Sequence, residues 1–201
     1  MKTNFTEMIK LGFILAVFAT TACFMLAFVH NGTSPIIERR QYDALKASIQ
    51  DLFPEANNFE AITGIESPDS SVIIESAYAA LKDSQIIGVA LRTSRFSYSG
   101  QIKILVGVGV DDLISGVRIL ENNDTPGFGL NAGASNFYVD RANRITFYGQ
   151  FAGKNVRDPF EVRRDVAVIT ASTITSRAAA ASVKAAAIAA NAWLSGATGR
   201  Q

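Results

Sequence analysis

Residues 11–29 run without a single charged side chain. As a helix this stretch is about 28 Å long, close to the ~30 Å hydrocarbon thickness of a bilayer. A chain that opens in this way must commit those residues to lipid or bury them. Lys2 and Lys10 precede the stretch, His30-Asn31-Gly32-Thr33-Ser34-Pro35 follow it, and Arg39 and Arg40 lie further on. Similar positive charge at the two ends gives the positive-inside rule little to act on; the reading adopted places the short N-terminus in the cytoplasm and the larger remainder outside. A cleaved signal peptide is the competing reading, and Thr20-Thr21-Ala22-Cys23 faintly resembles a lipoprotein cleavage site. Against it, Thr20 stands where such a site has Leu, and apolar sequence continues through 24–29. The expected organisation is therefore a tail and retained anchor over 1–34, with Pro35 closing the anchor, and one domain over 35–201.

In that domain, Ile36, Ile37, Leu45, Ile49 and Leu52 are spaced among charges as on an amphipathic helix, which Pro54 and Asn57-Asn58 should end. Four runs rich in Val and Ile follow at 72–80, 85–93, 101–110 and 115–120, each bounded by turn residues. The short gaps between them favour adjacent antiparallel strands. Residues 122–136 lack periodicity and read as an irregular loop. Segments 143–151 and 162–169 could supply further short strands, and 173–194 reads as a long alanine-rich helix. Strands followed by a packing helix imply an α+β domain.

Composition removes several kinds of chemistry. The chain has one cysteine, Cys23, and one histidine, His30. An iron–sulfur cluster, haem or zinc site usually needs more, and no disulfide can form within the chain. A Ser–His–Asp triad would have to draw on His30 at the edge of the apolar stretch. No metal site is expected. A net charge of +1 with no basic stripe argues against nucleic acid as a partner. Redox chemistry, if present, must rest on an organic cofactor.

Two segments carry candidate chemistry. Thr170-Ala171-Ser172-Thr173-Ile174-Thr175-Ser176 stands at the start of the alanine-rich helix. Ser and Thr there are common N-caps, and capping alone would account for one or two of these hydroxyls. Five exceed that need, and a helix N-terminus with free N–H groups is a ready seat for phosphate. Arg177 could add positive charge. The second segment is the loop from Glu121 to Gly129. Gly127 and Gly129 permit positive φ or close approach to a planar ligand, Thr125 offers a donor, and Pro126 restricts flexibility. Taken alone, a Thr-Pro-Gly sequence is usually just a turn.

Together these segments resemble the covalent flavin-binding domain of the RnfG/RsxG family, the G subunit of the Rnf electron-transport complex, whose relative is the NqrC subunit of the sodium-pumping quinone reductase. Tyr98-Ser99-Gly100 precedes a strand at 104–107, Glu121-Asn-Asn-Asp-Thr-Pro-Gly-Phe-Gly129 resembles the family's Glu-x-x-x-Thr-Pro-Gly-Leu-Gly, and 170–176 resembles its Ser/Thr-Gly-Ala-Thr-x-Thr-Ser. The family's Gly and Ala are Ala171 and Ser172 here. Its frequent acidic residue six places before the modified threonine is Ala167, with Asp165 two places earlier.

The resemblance implies FMN covalently attached through a phosphoester to Thr173. Thr170, Ser172 and Thr175 would lie near the phosphate, and Thr125, Gly127 and Glu121 near the ring or ribityl chain. It implies attachment by a separate flavin transferase and assembly with the other Rnf subunits. It further implies a single-pass anchor in the bacterial inner membrane with the domain on the periplasmic side. Such a subunit relays electrons in a system that couples ferredoxin/NAD exchange to ion translocation, and is not catalytic alone. Two alternatives stay open: an NqrC-like subunit, and a membrane-anchored binding or assembly module whose hydroxyls only cap the helix.

Overall fold

The computed structural model describes residues 5–197 and 199. They fall into two compact units, Met1–Lys46 and Ala47–Gln201. The first unit is helical. Helix α1 spans Phe5–Leu52, so its last turns belong to the second unit. Within it Glu7–Ser34 is long and apolar enough to cross a membrane, and its side chains, including Phe13, Phe18, Leu26 and Phe28, are exposed. Lys2 lies outside the described residues. The apolar span ends at Ser34, just before the Pro35 that the sequence reading has closing the anchor, but the helix itself runs on through Pro35. A proline removes one backbone donor, but it does not end a helix whose turns are held on both sides. Two residues earlier Thr33 Oγ1 donates to the Val29 carbonyl at 2.9 Å.

The second unit is built on a five-stranded antiparallel sheet in sequential order. Its strands are β1 (Asn58–Ile62), β2 (Val72–Lys82), β3 (Gln85–Phe96), β4 (Gln101–Gly109) and β5 (Ile114–Asn122). The four strongest apolar runs became β2 to β5. Strand β1 was not anticipated, because Asn57-Asn58 reads as a breaker. Its partner residues on β2, from Ala77 to Leu81, supply the order that its own sequence lacks. The β2–β3 hairpin closes through Asp83 (φ 50°) and Ser84 (φ 66°), with Lys82 opposite Gln85. Two successive positive φ values are the geometry a two-residue hairpin needs to match strand twist.

Helix α2 (Thr173–Ala197) covers one face of the sheet. Ala179, Val183, Ala186, Ala187 and Ala190 on the helix join Val89, Leu91, Ile104, Val106 and Val108 on β3 and β4 in one buried core. Alanine at the contact lets the helix backbone approach the strands closely while keeping high helix propensity. The opposite face shows a complementary device. Gly107 and Gly116 are cross-strand partners, and Gly88 lies one strand further along. A methyl group at Gly116 would stand 2.9 Å from Leu52 Cδ2, and one at Gly107 would stand 3.1 Å from Phe53 Cε2. The glycines thus form a groove that accepts Leu52 and Phe53, both buried. Burying a Leu or Phe side chain contributes about 1.5–3 kcal/mol.

Between β5 and α2 the chain is mostly irregular. The two expected strands at 143–151 and 162–169 are not formed as such. The first reduces to β7 (Ile145–Thr146), paired with β6 (Tyr138–Asp140), and a 3₁₀ turn at Gly149–Phe151. The second holds one isolated bridge, Val162 to Val166. Side chains bonded to backbone hold this region in place of a ladder. Asp165 accepts from the amides of Phe160 and Glu161 at 3.1 and 2.6 Å, and Gln150 Oε1 accepts from the amide of Ala167 at 2.6 Å.

Candidate functional site

Three segments of the second unit converge at one end of the sheet. The antiparallel register brings Ile102, just after the β3–β4 turn, opposite Asn122 at the end of β5. The turn at 97–100 therefore lies beside the loop that follows β5. The third segment is the N-terminus of α2. Asp124 joins all three. Its Oδ2 accepts from Ser97 Oγ and from Thr175 Oγ1, each at 2.6 Å, and its Oδ1 accepts from the Ser99 amide at 2.8 Å. Asn122 supports the loop from behind: its Oδ1 accepts from the Asp124 amide at 3.1 Å and its Nδ2 donates to the Gly129 carbonyl at 2.8 Å.

Burial alone would push the Asp124 carboxyl up. Hydrogen bonds from Ser97, Thr175 and the amides of Ser99 and Tyr98 outweigh it and hold the group below its ordinary value. Asp124 is 5% exposed, so it is a buried carboxylate at neutral pH. Since its folded-state pKa is depressed, its contribution to stability is present above the unfolded value of about 4 and is lost as pH falls through the lower folded value. Asp124→Asn is expected to cost about 2 kcal/mol at pH 7, the scale of hydrogen bonds to a charged group. In urea melts across acidic pH, the gap between the two proteins should close only below the ordinary carboxylate range. An equal gap at every pH would contradict this account.

Against Asp124 lies a cavity of about 590 Å³, within the usual range for small-molecule sites. Thr125, Phe128 and Gly129 line it from the loop, Tyr98 from the β3–β4 turn, and residues 171–175 from the start of α2. Phe128, Tyr98 and Ile174 keep 48%, 66% and 53% of their surface exposed, so the rim is apolar and open. Pro126-Gly127 forms the turn the sequence suggested. Gly127 has φ 79°, and the Phe128 amide donates to the Thr125 carbonyl at 3.2 Å. Gly129 serves close approach instead. A methyl group there would stand 2.5 Å from Thr175 Oγ1 and 2.6 Å from Asp124 Oδ2.

The five hydroxyls have separate fates. Ser172 is the N-cap: its carbonyl accepts from the Ser176 amide at 3.1 Å, and its hydroxyl lies 2.9 Å from Thr175 Oγ1. Thr175, fully buried, bonds Asp124. Ser176, also fully buried, donates to the Ser172 carbonyl and accepts from the Ile169 amide at 3.0 Å. Thr170 is exposed and does not line the cavity. Thr173 lines the cavity, is half-buried, and its hydroxyl makes no hydrogen bond to any described residue. It stands in the first turn, where the N–H groups of residues 173–175 have no acceptor within the helix.

Of the residues singled out from sequence, Thr173, Ser172, Thr175 and Thr125 are brought together at the cavity, whereas Thr170, Gly127 and Glu121 are not among its lining residues. Glu121 is turned away by a bulge. The register steps from Ile104–Ile119 to Lys103–Glu121, so Glu121 faces the side of the sheet opposite α2, where it pairs with Lys103 at 2.6 Å. Arg177 is exposed and lies away from the cavity, near Phe160 and Lys184. Sequence reasoning missed Asp124. The only signal was a carboxylate directly before Thr-Pro-Gly, and its partners Ser97 and Thr175 are 27 and 51 residues distant.

Ala171 adopts φ 60°, the left-handed conformation that favours glycine, directly before the N-cap. That explains a glycine at this place in the motif. Ala171→Gly is expected to raise stability by about 0.5–1 kcal/mol, or roughly 1–4 °C in Tm, because the exposed methyl contributes no packing. A calorimetric scan showing a lower Tm would count against it.

The segment that builds this site coincides with a known domain. A family model described as an FMN-binding domain matches residues 97–188, from the Ser97 that bonds Asp124 into α2. A second, described as the RnfG N-terminal region, matches residues 1–52, the length of α1. The chain is similar to the RnfG family in its N-terminal region and along most of its length. Its relatives agree along most of its length. The G subunit of the Na(+)-translocating ferredoxin:NAD(+) oxidoreductase complex of Acetobacterium woodii is 29% identical over 87% of each chain. The G subunit of the ion-translocating oxidoreductase complex of Vibrio cholerae is 28% identical over 89% of this chain and 88% of its own. Its counterpart in the proton-translocating ferredoxin:NAD(+) oxidoreductase complex of Clostridium ljungdahlii is 28% identical over 82% and 84%. The FMN-binding match thus covers the Asp124 junction, the cavity and Thr173.

Proposed function

We propose that this chain is an electron-carrying subunit of an Rnf-type ion-translocating oxidoreductase complex, with FMN esterified to Thr173. One observation carries the attachment point: Thr173 alone among the five hydroxyls both lines the cavity and has no hydrogen-bond partner among the described residues. The residues fit the group. Tyr98, Phe128 and Ile174 offer an apolar surface to a planar ring, and the first turn of α2 presents N–H groups where the phosphate would be. FMN supplies the uptake and release of electrons, while the protein supplies position and electrostatics.

Thr173 fixes the phosphate end, Ser172 and Thr175 hold the helix start in shape, and Thr125 faces the ligand from the loop. Thr170, Gly127 and Glu121 act indirectly, as chain direction, turn and surface charge. Among the described residues the cavity walls carry no cation to retain a free nucleotide phosphate; the one charged lining residue is the Asp124 carboxylate. Retention therefore falls to the covalent bond. A separate flavin transferase makes that bond, α1 crosses the inner membrane once, and the flavin domain stands on the periplasmic side, where it exchanges electrons with other subunits of the complex. The named relatives differ in the ion they move, sodium in one and protons in another, so the coupling ion is not set by this subunit's family.

Co-expression with a flavin transferase tests this. Intact mass should increase by one FMN less one water. An unchanged mass would favour the non-redox anchored module.

A further inference from the structure

The charge of the cavity bears on more than retention. We propose that Asp124 holds the reduction potential of the flavin down, acting as a positioning residue for charge rather than as a group that reacts. The inference rests on the reading that FMN occupies this cavity. Reduction of a flavin ring by two electrons and one proton leaves it one unit more negative. A fixed, buried carboxylate in the cavity wall opposes that change, and charge beside the ring is one of the levers a protein has on a flavin.

Three observations support Asp124 in this role. It is the one charged side chain among the cavity's described lining residues. It is buried and held in one orientation by Ser97, Thr175 and the Ser99 amide, so it cannot turn away from the cavity. The cations that could offset it are committed elsewhere. Arg95, on the α2 face, pairs with Asp69 at 3.2 Å, Lys103 with Glu121 at 2.6 Å and Arg92 with Glu75 at 2.7 Å, and cross-strand register puts Lys103 and Arg92 on the sheet face opposite α2. Arg177 is exposed and outside the cavity. An asparagine could not accept from all three donors, so Asp124→Asn loses stability as well as charge, and Ser97→Ala separates the two effects.

The test is a dithionite titration of the full-length chain, purified after co-expression with a flavin transferase, against indicator dyes of known potential. Wild type, Asp124→Asn and Ser97→Ala are compared, each with its intact mass. Asp124→Asn should shift the reduced-to-oxidised ratio at a fixed potential at least tenfold toward reduced, a rise of about 30 mV for a two-electron couple. Ser97→Ala loosens the same junction but keeps the charge, so it should lose stability with little change in potential. Should Asp124→Asn fail to accumulate, Asp124→Ser removes the same charge and is read in the same way. Flavin-bearing proteins with equal potentials overturn the proposal. Wild-type chain that carries no flavin overturns instead the reading on which it rests.

Discussion

Thr173→Ala, co-expressed with a flavin transferase, is expected to emerge with no covalent flavin and an unaltered fold. The Thr173 hydroxyl makes no hydrogen bond to a described residue, so removing it leaves no buried group unsatisfied, and the change in stability should stay within about 0.5 kcal/mol. This outcome distinguishes Thr173 from its neighbours. Loss of the Ser172 hydroxyl removes the N-cap side chain and its contact with Thr175. Loss of the Thr175 hydroxyl takes a donor from a buried carboxylate. Either change should lower stability first and flavin content only as a consequence. Denatured Thr173→Ala protein that still fluoresces in a gel would mean that another hydroxyl bears the flavin.

Gly129→Ala should have the largest effect on the fold of the site. Gly129 does not need positive φ; it is glycine because of what surrounds it. Its added carbon would meet Thr175 Oγ1, Asp124 Oδ2 and Asp124 Cβ at 2.5, 2.6 and 2.7 Å. These are not free side-chain ends. Asp124 is held by the β3–β4 turn and Thr175 by the helix, and the Gly129 carbonyl is itself bound by Asn122. The loop would have to withdraw and open the junction. A cost of about 3 kcal/mol is expected, at the upper end for overpacking a tight site, or roughly 6–12 °C in Tm. Flavin incorporation should fall with it. Gly127→Ala is the contrast: nothing stands within 4 Å of the added carbon, and only the strain of φ 79° applies. A Gly129→Ala protein that melts and loads like wild type would remove the junction from this account.

What could be read from the sequence follows a physical line. Strands β2 to β5 and helix α2 have strong local patterns, and their ends fell close to the expected positions. The hydroxyl cluster stood out because its density exceeds the needs of capping. Features defined by distant partners were not legible. The glycine groove looks like weak strand sequence until Leu52 and Phe53 are seen to fill it. Asp124 looks like a turn residue until Ser97 and Thr175 reach it. Glu121 belongs to the right motif but a one-residue bulge turns it to the other face. At 143–151 and 162–169 the sequence suggests strands, but Asp165 and Gln150 hold this region through backbone contacts that carry no periodicity.

The central claim concerns one atom, the hydroxyl oxygen of Thr173. Trypsin should release residues 165–177 as one peptide that contains all five hydroxyls. Fragmentation of that peptide from flavin-loaded protein should put the added FMN on Thr173, with Thr170, Ser172, Thr175 and Ser176 unmodified. A fragment series that puts the flavin on any other residue, or on none, would contradict the account.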